Sequence, residues 1–540
     1  MRKLWAGLLA AAAACASGGG ARQMDAPASA GMVPAAAGAA VPDGGSYAFP
    51  EPDSSAALHL LNRLSFGPRP GDVARVQRLG IAAWFDEQLH AERIADTIEL
   101  GVRRAHAVAF LSPVELLRRY PPPNLQQRAA ADSALIVRQQ RGYRELGGHV
   151  VMATLSRHVA SERQLLEVMT DFWFNHFNVF MGKQADRWLT ADYVERAIRP
   201  NALGRFEDLL RAVARHPAML VYLDNAQSVA PGSRPPLRRQ QPTGINENYA
   251  RELLELHTLG VDGGYTQQDV QEVARILTGW SATGPNALGQ GRRPLEFEYH
   301  PWAHDSGRKT VLGQEFAAGH GMDEGLALLN LLATHPSTAR HLAHKLCARF
   351  VADDPPDGCV DHAVAAYART GGDVRAVLRA IVASDDFWAP QARRAKVKTP
   401  LEFVVSALRA VNAAPDTTPR LAFLLQQLGQ PLFMQQVPTG YPETSEDWVN
   451  SGALLARMNA AMGLAAGRMP GTWADLDAVV PASLSHDDLI ARVNAVVLGG
   501  QASANTIRVL REQIADLADP RLARAMAVGL ALGSPEFQKQ

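Results

Sequence analysis

The sequence is poor in cysteine, in net charge and in long apolar stretches. Three cysteines in 540 residues are too few for a disulfide-dense framework. The 54 basic and 54 acidic residues give a formal net charge of zero, whereas nucleic-acid-binding proteins usually have a basic excess. No stretch beyond the N-terminus has the about 20 apolar residues of a membrane-spanning helix. We therefore expect no nucleic-acid partner, and membrane contact only through the N-terminus.

The short motifs of several enzyme classes are absent as well. The chain has no H-E-x-x-H zinc motif, no phosphate-binding glycine loop, no dinucleotide fingerprint and no G-x-S-x-G elbow. Without C-x-x-C-H, covalent haem attachment is not indicated. Ser306-x-x-Lys309 matches a serine–lysine hydrolase pattern, but the pattern is short and the expected helix is missing. No standard motif therefore names a reaction.

The N-terminus has the pattern of an export signal. A short positive region precedes an apolar run, LWAGLLAAAAA, at residues 4–14. Cys15 follows three alanines and precedes a glycine-rich stretch, which resembles a lipoprotein cleavage site, although Ala12 stands where leucine is usual. Alternatively, Ala14-Cys15-Ala16 is an ordinary small-x-small cleavage site. We predict an exported protein, either periplasmic or held at the outer membrane or cell surface by a lipid on Cys15.

The rest of the chain divides into a linker and a helical domain. Residues 1–15 are the predicted signal peptide, and residues 16–54, rich in Ala, Gly and Pro, are a flexible linker. Helical periodicity then continues through residues 55–540, beginning with Leu58, Leu61 and Leu64 on one face. The predicted helices include 112–119, 129–158, 161–180, 186–198, 203–215, 245–259, 267–278, 323–333, 337–350, 360–369, 373–383, 400–412, 451–466 and 503–532.

One segment has the alternation of β-strands. Leu295, Phe297 and Tyr299 alternate with charged residues, and a second apolar run at residues 310–312 follows an Asp-Ser-Gly turn. We predict that these two runs pair as a β-hairpin. The fold class is therefore mainly α, a multi-helix globular array with a small β-hairpin insert.

Cys347 and Cys359 flank a turn-rich segment. An oxidising compartment permits a disulfide between them, whereas two separate buried thiols are the alternative. Nothing nearby argues for a lowered thiol pKa, so neither cysteine is expected to be a nucleophile.

The first functional segment is the aromatic helix MTDFWFNHFNVF. Glu167, Asp171, Asn175 and Asn178 follow each other at i, i+4, i+8 and i+11 and form a polar stripe on it. Buried polar groups must be paired, so the stripe either lines a polar cavity or belongs to a structural network. His176 points toward the apolar arc, where a satisfied core histidine is the commoner outcome.

The second segment, residues 244–280, reads as helix, turn, helix. Asn248, Arg251, Glu252 and Glu255 share one face of the first helix. Two nearby carboxylates can share a proton or a divalent metal ion, whereas a solvated face with an Arg–Glu pair is the alternative. Thr266 and Asp269 form a predicted capping arrangement for the second helix.

The third segment, YHPWAHDSGRKTVLG, places His304, Asp305 and Lys309 at the predicted hairpin turn. Histidine and aspartate on a rigidly held loop can coordinate a metal ion or transfer protons. The alternative is an Asp-Ser-Gly turn with histidines nearby by chance.

These segments resemble the bacterial family catalogued as domain of unknown function 1800. The resemblance extends from about residue 55 to the C-terminus and is carried by strings such as LLNRLSFGPRPGDV, DFWFNHFNVF, NENYARELLELHTLGVDGGYTQQDV, HDSGRKTVLG and GQPLFMQQVPTGYPETSEDWVN. One departure is MQQVPTGYP after GQPLF, where the family has a proline-richer run. The resemblance implies an exported helical protein, often encoded beside a second exported family similar to sulfatases and phosphatases, and it implies no catalytic residues.

Two functional hypotheses follow. In the first, the chain is a periplasmic or surface enzyme, hydrolase-like or metal-assisted, in which His304 and Asp305 meet Arg251, Glu252 and Glu255 while the polar stripe lines the wall. Its cofactor is unknown, and a divalent metal fits these side chains. In the second, the chain is a non-catalytic envelope scaffold or the partner of the neighbouring exported protein, docking through the arginine-rich residues 229–242.

Overall fold

The computed structural model describes residues 49–122, 133–233, 244–290 and 293–540. The predicted signal peptide, Cys15 and most of the predicted linker lie outside the described residues, as do Arg234, Arg238 and Arg239 of the proposed docking segment. Residues 48–540 group into one compact unit. None of the described helices combines the length and the apolar character that crossing a membrane requires.

Helices form most of the described chain, which confirms the predicted fold class. The first half contains α1 (Ser54–Leu64), α2 (Asp72–Leu79), α3 (Ile81–Leu89), α4 (Glu99–Ala105), α5 (Pro113–Arg119), α6 (Ser133–Ala160), α7 (Gln164–His176), α8 (Asp186–Asp192), α9 (Phe206–Ala214), α10 (Pro217–Tyr222), α11 (Asn248–Glu255) and α12 (Gln267–Ile276). The second half contains α13 (Met322–Thr334), α14 (Pro336–Phe350), α15 (Asp357–Thr370), α16 (Val374–Val382), α17 (Asp385–Trp388), α18 (Pro400–Ala410), α19 (Arg420–Gln427), α20 (Ser451–Ala465), α21 (Leu476–Val479), α22 (His486–Val497), α23 (Ala504–Ile514), α24 (Pro520–Gly533) and α25 (Pro535–Gln538).

Local capping chemistry determines where several of these helices begin. The Thr266 hydroxyl accepts from the Asp269 N–H while the Asp269 carboxylate accepts from the Thr266 N–H, which confirms the predicted cap of α12. The predicted helix 503–532 is wrong, because the chain breaks before Pro520. Proline lacks an N–H and suits only the first turn of a helix, so α24 starts there with Asp519 as its cap.

The predicted hairpin between residues 295–299 and 310–312 is also wrong. Strand β1 (Trp280–Ala282) pairs with β2 (Phe297–Tyr299), and β3 (Lys309–Val311) pairs with β4 (Gln314–Phe316), both antiparallel. A third small pair joins β5 (Ala414–Pro415) to β6 (Thr472–Trp473). Residues 300–308 therefore connect two separate ribbons and do not form a hairpin turn.

A continuous buried cluster of apolar side chains runs through the described helices. Helix α6 contacts both α7 and α18, and α14 packs against α15. Asp171, Arg349 and Glu402 come from α7, α14 and α18, and they line one common cavity.

Cys347 on α14 and Cys359 on α15 form a disulfide, with their Cα atoms 6.2 Å apart. The two cysteines are 12 residues apart in sequence, and closing a loop of that size in the unfolded chain is worth roughly 3 kcal/mol. We expect reduction with dithiothreitol to lower the free energy of unfolding by about this amount in urea titrations. A Cys347→Ala/Cys359→Ala variant is the control, because its unfolding must not respond to dithiothreitol. Equal stability of the oxidised and reduced wild type would contradict the prediction.

Candidate functional site

Helix α7 is buried nearly all round, and its polar stripe faces the rest of the protein instead of solvent. Phe172 and Trp173 are in the core, and the Trp173 indole N–H donates to the Ala202 carbonyl at 2.9 Å. Glu167, the first member of the stripe, forms an ion pair with Arg199. The stripe therefore begins as a structural network, with its first carboxylate already paired.

Asn175 and Asn178 hold a segment that we call the covering loop, residues 430–448. The Asn175 amide donates to the Tyr441 carbonyl at 2.9 Å, and its oxygen accepts from the Tyr441 N–H at 2.7 Å. Asn178 donates to two further loop carbonyls, those of Gln435 (3.1 Å) and Val437 (2.9 Å). These side chains satisfy loop backbone groups that have no partner in a helix or strand.

The close approach of the covering loop to α7 requires a glycine. Gly440 has φ +75°, and a Cβ there would lie 2.3 Å from the Asn175 carbonyl oxygen. No larger residue fits without moving the backbone. The stretch MQQVPTGYP thus contains the one residue that this contact needs.

The covering loop closes a polar cavity of about 50 Å³ against α7, α14 and α18. A water molecule needs roughly 10–15 Å³, so the space holds a few waters or one small polar group. The charged and amide side chains that line it are those of Asp171, Asn175, Asn178, Arg349, Glu402, Gln430 and Glu443. The first three of these residues belong to the polar stripe predicted from the sequence.

Asp171 is the member of the stripe that no protein group satisfies. Within the described residues its carboxylate has no hydrogen bond and no ion pair, and its free surface faces the cavity. Burial raises the pKa of Asp171 to about 7, and the nearby carboxylates of Glu443 and Glu402 act in the same direction against Arg349. The group therefore changes protonation near neutral pH, as a proton-transfer group must.

Arg349 and Glu402 form the charged wall opposite Asp171. The Arg349 Nη2 lies 2.7 Å from Glu402 Oε1, and the Thr399 N–H donates to the second Glu402 oxygen at 2.8 Å. Burial alone would raise the pKa of Glu402, but Arg349 and the Thr399 N–H hold it below its ordinary value. Glu402 therefore stays ionised and fixes the guanidinium of Arg349 in place.

Lys345 lies one helical turn before Arg349 on α14, so the two cations share a helix face. Within the described chain Lys345 has no hydrogen bond and no ion pair. Burial lowers its pKa, while Glu443 opposes that shift. A carboxyl with a raised pKa and an amine with a lowered pKa thus occur close to the same covering loop.

A family model described as protein of unknown function, DUF1800, matches residues 59–539. The chain belongs to this family. The searches of curated proteins and of solved structures each found no match.

In this DUF1800 protein the residues after β2 form a network of their own. Asp305 accepts two hydrogen bonds from Arg275, at 2.9 and 3.1 Å, and these lower the pKa of Asp305. His304 Nδ1 lies 3.0 Å from the Thr278 carbonyl oxygen. Lys309 Nζ contacts Glu324 Oε2 at 2.5 Å in the protein interior. Each of the three predicted site residues is therefore engaged by a nearby structural partner.

The predicted residues of α11 form a second, separate group. Arg251 donates to Gln267 at 2.9 Å, and Glu255 accepts from the Tyr265 hydroxyl at 3.3 Å. Asn248 donates to the Leu223 carbonyl at 3.3 Å. Burial and the adjacent Glu255 raise the pKa of Glu252, opposed by Arg251.

The structure joins each of these two groups to partners of its own. No hydrogen bond or ion pair in the described part of the chain links His304, Asp305 or Lys309 to Arg251, Glu252 or Glu255. Helix α12 supplies partners to both groups, Arg275 for Asp305 and Gln267 for Arg251. Neither group lines the cavity at Asp171.

His176 lies among aromatic rings, as its position on the apolar arc suggested. Its Nε2 is 3.2 Å from the His257 carbonyl oxygen, and its ring stacks parallel to Phe172. Burial lowers the pKa of His176 well below its ordinary value. The residue is neutral and forms part of the core.

The described residues contain no group of three or more His, Cys, Asp or Glu side chains arranged to hold a metal ion. Arg349, Glu402 and Glu443 at the cavity were not predicted from the sequence. For Glu402 a signal exists, because Thr399-x-x-Glu402 is a capping box that fixes its side chain at the start of α18. For Glu443 the sequence carries no comparable signal.

Proposed function

We propose that this protein is an exported enzyme with hydrolase-like acid–base chemistry, and that Asp171 is its proton-transfer group. One observation carries the proposal: a deeply placed carboxyl faces a small polar cavity, has no protein partner and has its pKa raised to about 7. Leaving such a group unpaired costs stability. Such a cost is typical of functional sites.

The surroundings of Asp171 supply the other parts of a reaction site. Arg349, held by Glu402, offers a fixed positive charge to an anionic group of the substrate or to charge that develops during reaction. Lys345, one helical turn before Arg349 on α14 but outside the cavity lining, is a second cation that can lose its proton more readily than an exposed lysine. The covering loop lies over the cavity and leaves Asp171 only partly exposed, and reduced contact with water strengthens these electrostatic interactions.

Two features support the export of the protein. The N-terminal sequence has a positive region followed by an apolar run of signal-peptide length. The Cys347–Cys359 disulfide suits an oxidising compartment such as the periplasm. Fractionation of cells that express the full chain tests this part, since the protein is expected in the periplasmic or membrane fraction.

The test of the reaction is a panel of fluorogenic esters, phosphates, sulfates and amides, assayed with wild type and Asp171→Asn. For any substrate turned over, we expect the substitution to lower kcat by about 100-fold or more, because a general acid or base contributes about that much. The wild-type pH profile should bend near pH 7, where the carboxyl titrates.

The matched control is Asp186→Asn. Asp186 is a buried carboxyl with a raised pKa and no hydrogen-bond partner for either oxygen, but it does not line the cavity. The Asp186→Asn variant should leave kcat unchanged. Turnover that survives Asp171→Asn would overturn the proposal, and so would the absence of turnover across the panel, which the envelope-scaffold hypothesis predicts.

A further inference from the structure

A second concave site adjoins the cavity at Asp171. It is a groove of about 300 Å³ between α6, the segment that follows α7, helix α19 and the start of the covering loop. Leu432 lines both the groove and the cavity. On α6, Val151 lines the groove and Thr154, three residues later, lines the cavity. The two spaces are therefore neighbours along the same helix and the same loop.

The walls of the groove are mainly apolar. Gly147 and Gly148 on α6 line it, and they let the side chains of Met181 and Pro419 approach the helix closely. Phe423 and Met434 form its outer edge and are 55% and 40% exposed. Large apolar side chains left in solvent around a concave surface are typical of a ligand site.

The charge of the groove has one sign. Arg144 and Arg187 line it, and no acidic residue does. Neither arginine forms an ion pair with a described carboxylate. Arg187 is held in position by the Tyr143 ring, 4.3 Å from its guanidinium carbon, and by donating to the Gln184 carbonyl at 3.0 Å. Two cations without anionic partners beside an apolar wall are complementary to an anionic amphiphile.

We propose that this groove binds a small anionic amphiphile, a molecule with an apolar chain and a carboxylate, sulfate or phosphate group. The apolar chain lies against Phe423 and Met434, and the anionic group contacts Arg144 and Arg187. The larger space accommodates the body of a ligand, whereas the cavity of about 50 Å³ accommodates only a reacting group. The assignment of a substrate rests on the proposed function: the substrate is such an amphiphile, and its reacting group lies in the cavity.

The binding test is isothermal titration calorimetry of the full-length protein with sodium decanoate, and with decyltrimethylammonium as the charge-reversed probe. We expect decanoate to bind and decyltrimethylammonium not to bind. Phe423→Ser should weaken decanoate binding about tenfold or more, because it removes an apolar contact. The double variant Arg144→Gln/Arg187→Gln should also weaken decanoate binding about tenfold or more, because it removes the charge-assisted contacts.

Matched controls are available on other surfaces. Leu455→Ser removes a side chain that is 63% exposed and outside the groove, and Arg340→Gln removes an exposed arginine on α14. Both should bind decanoate like wild type. Absence of decanoate binding, equal binding of the cationic probe, or binding that survives the groove variants would overturn the proposal. Sedimentation that shows a dimer disrupted by Phe423→Ser would overturn it too, since a second copy would then be the occupant.

The failure of this proposal is distinguishable from that of the proposed function. Asp171→Asn should bind decanoate as wild type does, because Asp171 lies in the cavity and not in the groove. If a substrate is found, decanoate should raise its KM and leave kcat unchanged. Turnover that survives Asp171→Asn would contradict the proposed function but not ligand binding in the groove. Turnover that decanoate does not inhibit would contradict the groove as a substrate site.

Discussion

Asp171→Asn is expected to make the protein more stable at pH 8, by roughly 2–4 kcal/mol in the free energy of unfolding. In the unfolded chain this carboxyl ionises near its ordinary pKa of 3.8, whereas burial raises its pKa in the folded protein to about 7. At pH 8 the folded protein therefore keeps a charge in a poorly solvated position. Asparagine has nearly the same shape without the charge, so the penalty disappears.

The pH dependence follows from the same two pKa values. Between about pH 4 and pH 7 the folded protein binds a proton that the unfolded chain has lost, so the free energy of unfolding falls as pH rises. Below this window both states are protonated, and above it both are ionised. The advantage of Asp171→Asn should thus grow from pH 4 to pH 7 and then stay constant in urea titrations.

Asp487→Asn is the matched control, because the Asp487 side chain is 83% exposed and the one ion pair that it forms within the described residues, with Arg511, is 3.4 Å long. We expect it to change stability by less than about 1 kcal/mol. If the stability of Asp171→Asn follows the wild-type pH curve, the Asp171 carboxyl is solvated or paired, and the prediction is wrong. The combination expected here, a gain in stability with a loss of activity, is typical of residues retained for function.

Helices and the polar stripe were predictable because their signals are local. A period of 3.6 residues placed Asp171, Asn175 and Asn178 on one face, and that face does line the cavity. Arg349 and Glu402 join it from helices that lie far along the chain, and no local pattern encodes that meeting. The wrong prediction of the strand pairing has the same origin. Phe297–Tyr299 pairs with the strand that begins at Trp280, a residue predicted to lie at the end of a helical segment.

The predicted convergence of polar residues on one site illustrates a second limit of prediction from the sequence. His304 and Asp305 were grouped with Glu252 because each has side-chain chemistry suited to a site, yet His304 and Asp305 take the nearest available partners. Arg275 for Asp305 and Thr278 for His304 are on the preceding helix or just after it. Asp171 differs from His304 and Asp305, because its neighbours Asn175 and Asn178 are engaged by the covering loop and no donor within the described residues reaches its own oxygens.

Lys309→Met is expected to lower the free energy of unfolding by about 3–5 kcal/mol. The Lys309 and Glu324 side chains are 0% and 1% exposed and their charged atoms are 2.5 Å apart. Removing the lysine leaves the Glu324 carboxylate buried, with His304 Nε2 at 3.5 Å as its remaining neighbour. An uncompensated buried charge accounts for the size of the effect.

The double variant Lys309→Met/Glu324→Gln should recover most of that loss, since removing both charges of a buried pair is often close to neutral. Arg308→Met is the control on the adjacent residue: Arg308 and Glu315 form an exposed pair, so we expect a loss below about 1 kcal/mol. Thermal and urea unfolding of wild type, Lys309→Met, Glu324→Gln and the double variant complete the cycle. If Lys309→Met instead unfolds like wild type but loses turnover, Lys309 acts in the reaction, and the site would have to extend from the cavity to the segment between β2 and β3.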